Sequence, residues 1–179
     1  MPNIEEDLDL VYQRLLNDKQ YLNNLTAVER SLARLGLDYG SDGRDLLIPH
    51  PLGALPAAAK IRVRPKTLEV SAALLSSPPE YLLGELYYYT YKHPTEAVFF
   101  YLSPDNDYNE SLTVAVRLPF TTHKPRLLAE QLRQALLHMS AAYLKLTNGD
   151  YGRSGKEVFE KHAKSDDSPV QSEKGEENG

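Results

Sequence analysis

Oxygen side chains alternate in Asp105-Asn106-Asp107-Tyr108-Asn109-Glu110, the pattern that opens a calcium loop, where every second residue turns toward one hard cation. The pattern fails at two positions the loop cannot do without. Its sixth residue is Glu110, where a sharp turn demands glycine, and its twelfth is Val116, where a bidentate carboxylate should close the shell. A polar hairpin turn between two strands accounts for the same residues.

Five histidines, His50, His93, His123, His138 and His162, offer metal or acid–base chemistry, but none stands at an i, i+4 or H-x-H spacing from another. They read as surface or partly buried side chains; His138, beside Met139, has no partner in its neighbourhood of the sequence. The chain has no cysteine, which removes disulfides, thiolate zinc sites and cysteine nucleophiles together. No G-x-S-x-G, H-E-x-x-H, P-loop or G-x-G-x-x-G sequence occurs. Asp42-Gly43-Arg44-Asp45 reads as a strand lead-in, and Glu5 with Glu6 falls in a helix first turn, where the dipole favours acids. The expectation is a chain that is not an enzyme and holds no metal or cofactor, with an unrecognised site formed by spatial convergence as the alternative.

One constellation points to binding instead. Lys60, Arg62 and Arg64 alternate with Ile61 and Val63, so the three cations share one sheet face, and Lys66 follows closely. That face is either simply solvated or it meets acidic groups, on a partner protein or on this chain's own Asp166, Asp167, Glu173, Glu176 and Glu177. Nucleic acid is disfavoured, because the formal net charge is −5 and no aromatic residues interleave with the cations.

The elements that must carry these residues follow from periodicity. A helix is expected over 4–16, with Ile4, Leu8, Val11, Tyr12 and Leu15 on one face behind Asn3 as N-cap. Asn23 and Asn24 interrupt it, and Thr26-Ala27-Val28-Glu29 reads as the capping box of a second helix ending at Gly36. The two pieces would pack as a hairpin or bend around each other. Strands are expected over 45–48, 59–64 and 67–74, the last two as a hairpin across Pro65-Lys66. Ser77-Pro78-Pro79-Glu80 reads as the start of a helix over 78–91, which Pro94 ends. Strands over 96–102 and 112–118 precede the longest helix, 123–146, closed by Asn148-Gly149. After Tyr151 apolar residues thin out, so the sequence predicts one domain over 1–152 and an acidic, largely disordered tail over 153–179, with disorder from about Lys164.

The helix over 78–91 has two apolar arcs. Leu82, Leu83, Leu86 and Tyr89 suffice to cover the chain's own sheet, whereas Tyr81, Tyr87, Tyr88 and Tyr91 lie opposite, together with Gly84. The second arc is expected to form a homodimer interface, with cover by the C-terminal extension as the alternative. No stretch approaches the ~20 apolar residues of a membrane span, and the acidic start MPNIEEDLDL is unlike a secretory signal. A cytoplasmic protein is expected.

Helix, three strands, helix, two strands and long helix form the α+β order α-β-β-β-α-β-β-α, here behind an extra N-terminal helix. This order resembles the type III secretion chaperone-like fold and the related YbjN-like family. The likeness rests on Leu82-Leu83 with Leu86-Tyr87 in the crossing helix, on strand sequences 97–102 and 112–119, and on Leu118-Pro119-Phe120 and Ala142-Tyr143-Leu144 at the two ends of the closing helix. It departs in the leading helix before Asn24, the run Tyr87-Tyr88-Tyr89 and the tail. The resemblance implies an antiparallel sheet covered by helices in a compact, commonly dimeric, protein-binding module. A chaperone-like or regulatory adaptor is therefore expected, with a structural subunit of a larger complex as the alternative.

Overall fold

In the computed structural model, which describes residues 4–94, 96–104 and 109–166, the chain opens with one unbroken helix, α1, Ile4–Arg34. The break expected at Asn23-Asn24 does not occur. Asparagine disrupts helices when its amide competes for nearby backbone groups, but the Asn24 amide points into the protein, where Nδ2 donates to the carbonyls of Arg64 at 2.9 Å and Pro65 at 3.0 Å. Thr26 is likewise no N-cap, since its hydroxyl donates back to the Leu22 carbonyl at 3.0 Å in mid-helix.

Six strands follow as one antiparallel sheet in the order β1-β2-β3-β4-β6-β5: β1 (Gly40–Asp42), β2 (Asp45–Ile48), β3 (Ala59–Val63), β4 (Thr67–Ser76), β5 (Val98–Pro104) and β6 (Glu110–Pro119). The first strand is one more than expected. Gly40-Ser41-Asp42 forms a short strand paired with β2, and Gly43-Arg44 turns the chain between them. Leu46, Ile61, Val70, Val116 and Val98 stand in register across five strands, a continuous apolar row that sets the inner face. Helix α3 (Pro125–Asn148) lies over that face with Leu128, Leu132, Leu136, Met139 and Leu146 buried, and the second half of α1 packs beside it through Ala27, Val28 and Leu32.

Helix α2 (Glu80–Lys92) begins two residues later than expected. A residue followed by proline is driven out of the helical region, so the helix cannot start at Pro78, and Pro79 becomes the N-cap with ψ 148°. Ser77 makes no cap; it adopts a positive φ of 50° and donates its N–H to the Glu110 carbonyl at 2.7 Å. Leu82 and Leu86 anchor the helix in the core.

Beyond residue 152 the described chain packs against the body. A fourth helix, α4 (Arg153–Asp166), packs on α2 and α3 with Val158 buried and Phe159 edge-on to Tyr143. Gly155 makes this approach possible, because a Cβ there would overlap the Leu146 carbonyl. The Glu85 carboxylate of α2 accepts the Ser154 N–H at 3.1 Å, in the first turn of α4, where the helix dipole favours an anion. The expectations for residues 167–179 and for the 105–108 turn lie outside the described residues.

Candidate functional site

Three surfaces carry the residues singled out by the sequence. On the outer face of the sheet the alternation of β3 holds: Ile61 and Val63 are buried, and Arg62 and Arg64 are exposed. The cations, however, are paired by neighbours that sequence spacing did not link to them. Lys60 Nζ lies 2.9 Å from Asp42 and Arg62 Nε 3.7 Å from Asp45. Arg62 is also in register with Glu69, which binds Arg117 at 2.8 Å and accepts the Tyr101 hydroxyl at 3.2 Å. Charges of alternating sign therefore cross four strands. A shallow depression of about 350 Å³ beside them is lined by Lys60, Arg62, Ser71, Tyr101, Ser103 and Thr113. Among the described residues, Arg64 and Lys66 have no ion-pair partner.

The second surface is α2. Tyr81, Tyr87, Tyr88 and Tyr91 are 55 %, 58 %, 65 % and 80 % exposed, and nothing approaches Gly84. Tyr89 differs, packing at 4.4 Å from Tyr151 and donating to Glu96 at 2.8 Å. Burial first, then the Glu96 carboxylate, pushes the Tyr151 phenol well above its ordinary range, which marks it as a neutral packing residue. Helix α4 contacts α2, yet through residue 165 it leaves the four outer tyrosines open.

The third surface was not singled out. All of residues 8–20 are exposed, so the first half of α1 projects from the body with its apolar stripe uncovered. The stripe was legible, but the hairpin expected beyond Asn23 gave it a cover that the unbroken helix does not supply.

The histidines do not converge. His123 Nε2 lies 2.7 Å from Asn24 Oδ1, and His93 stacks on Tyr89 at 4.1 Å. His50 and His138 are exposed elsewhere. Among the described residues no group of three or more His, Asp or Glu side chains is placed to hold a metal ion, and no helix is long and apolar enough to cross a membrane.

No protein-family model matches the chain, and no curated protein matches it. A solved structure does: YbjN from E. coli, described as a candidate transcription regulator, superimposes with a TM-score of 0.50 over 64 % of this chain and 84 % of YbjN, at 20 % sequence identity. At that identity the likeness concerns the fold. The chain is an α+β protein with the YbjN-like fold, as its element order implied.

Proposed function

We propose that this chain is a non-catalytic protein-binding module, a chaperone-like or regulatory adaptor that acts as a homodimer and holds a segment of another protein. The observation that carries this reading is the outer face of α2, where four tyrosines stand exposed around Gly84 while the opposite side of the helix already anchors the domain. Tyrosine gives a contact large apolar area at low entropic cost and keeps a hydroxyl for water when the contact is open. Such a face suits a partner that is met and released.

The outer sheet face contributes less than its sequence suggested. Lys60 and Arg62 are already neutralised in part by Asp42 and Asp45, which leaves Arg64 and Lys66 to meet acidic groups of a partner. The same pairing counts against nucleic acid, whose phosphates need uncompensated cations. If this chain shares the regulatory role for which YbjN is a candidate, these charges favour protein contacts over DNA as the route.

Affinity purification from the native host, with wild type and with Tyr87→Glu combined with Tyr91→Glu, tests the reading. Wild type is expected to retain a stoichiometric partner, and the double variant to retain it about tenfold less or worse. Both side chains are exposed, so the far-UV circular dichroism of the variant should match wild type. Equal capture by the two proteins would remove the tyrosine face from the binding surface.

A further inference from the structure

We propose that residues 167–179, the segment that follows α4, dock through their glutamates on a cluster of cations where the turn between β3 and β4 meets the start of α3. This rests on the reading above that Arg64 and Lys66 are open to acidic groups, and it names the first of those groups as the chain's own.

Hydrogen bonds between distant segments assemble the cluster. The Phe120 N–H donates to the Lys66 carbonyl at 2.9 Å, Asn24 Nδ2 donates to the Arg64 carbonyl at 2.9 Å, and Asn24 Oδ1 meets His123 Nε2 at 2.7 Å. Arg64 and Lys66 therefore lie beside the segment that carries Lys124 and Arg126 into α3. All four side chains are exposed, and among the described residues none has an ion-pair partner. Acids of the neighbouring elements are already engaged: Glu69 with Arg117, Glu130 with Arg133, Asp45 with Arg62 and Asp18 with Arg44. Glu29 of α1 has no such pair among the described residues, and Arg30 next to it in the chain offsets its charge. The first turn of α3 carries no acidic side chain, whereas α2 has Glu80 there and α4 receives Glu85. Its dipole adds to the positive field of the four cations.

Direction, reach and charge select the occupant. Gly155 lies against Leu146 and Phe159 against Tyr143, so α4 runs back along α3 toward its first turn. At helical rise the end of α4 stands roughly 15 Å along α3 from Arg126. Seven further residues bring the chain to Glu173 and span up to about 24 Å when extended, which puts Glu173, Glu176 and Glu177 within reach of the cluster. Residues 167–179 carry these three glutamates and Asp167 against a single cation, Lys174. Val170 is their one large apolar side chain, so the segment suits a charged surface and not an apolar groove. Being part of the same chain, the glutamates meet the cluster at an effective concentration of the order of millimolar, ahead of an acidic partner in solution. Exposed ion pairs are individually weak and screened by salt, so docking adds little to the thermal midpoint and yields to a competing acidic chain.

Carbodiimide coupling of the full-length chain, which joins a carboxylate to an amine in contact with it, reads the docking directly by mass spectrometry. An equal mixture of isotopically light and heavy chains separates links within one chain from links between two. Lys66 and Lys124 are expected to couple to Glu173, Glu176 or Glu177 within one chain at about 20 mM salt and to lose most of that yield at about 500 mM. Arg64→Glu with Arg126→Glu keeps both lysines as reporters and should cut the yield about fivefold or more. Both arginines are exposed, so the thermal midpoint of this variant should equal that of wild type. A fluorescent ten-residue polyglutamate peptide should bind the chain cut after Lys164 several-fold more tightly than the full chain, because the tail no longer competes. Coupling confined to Lys161 and Lys164 of α4, or found only between light and heavy chains, would overturn the docking. Equal peptide affinity for the cut and the full chain would overturn it too. None of these outcomes touches partner capture through the α2 tyrosines, so this contact and the reading above fail separately.

Discussion

Asn24→Leu is expected to lower the thermal midpoint by roughly 4–12 °C, whereas Asn23→Leu, one residue away on the same helix, should change it little. Asn24 is 2 % exposed and joins three parts of the fold. Its Nδ2 donates to the Arg64 and Pro65 carbonyls in the turn between β3 and β4, and its Oδ1 meets His123 Nε2 just before α3. The two carbonyls fix the amide orientation, so Oδ1 must accept and His123 carries its proton on Nε2. Leucine has similar volume but leaves these groups without a partner, at about 2–3 kcal/mol in all. For a chain of this length each kcal/mol lost is worth about 2–4 °C. Asn23 is exposed and has no such role. Thermal melts followed by circular dichroism make the comparison, and equal shifts for the two variants would show that the network holds nothing.

The same residue shows where sequence reading stops. Asparagine within an apolar-periodic segment reads as a break because its preference for local hydrogen bonds is visible and its tertiary partners, 40 and 99 residues away, are not. Strands and the closing helix were legible because their apolar periodicity is local: the inward residues of β3 and β4 and the stripe of α3 lie where period two and period 3.6 put them. The start of α2 was misread because the capping pattern of Ser77 and Glu80 ignores the restriction that Pro79 imposes on Pro78. The cationic face of β3 was legible as a face. Its neutralisation was not, because Asp45 reaches Arg62 across strand pairing, which no single segment specifies. The outer tyrosines of α2 were found because their arc is redundant for folding, and the stripe of α1 passes the same test once the helix is known to be continuous.

Truncation after Gly152 is expected to lower the thermal midpoint by roughly 4–15 °C, while truncation after Lys164 should leave it nearly unchanged. Few apolar residues follow Tyr151, and composition alone therefore predicts a tail. Packing outweighs composition here because the few are well placed. Val158 is buried, Phe159 meets Tyr143 edge-on with ring centroids 5.8 Å apart, and Gly155 lets α4 lie against the end of α3 at Leu146. Removing α4 uncovers apolar surface on both sides of that contact, at about 1.5–3 kcal/mol for each large side chain, offset in part by the entropy that the freed segment regains. It also takes the Ser154 N–H from the Glu85 carboxylate, which then faces solvent without its helix terminus. Glu85→Ala isolates that last term and should shift the midpoint in the same direction by a few degrees, as loss of an N-terminal cap of about 1 kcal/mol does. Beyond Phe159 residues 160–165 are exposed, so cutting after Lys164 removes no buried contact among the described residues. Equal midpoints for the chain cut after Gly152 and for the full chain would show that α4 adds nothing to the stability of the domain expected over 1–152.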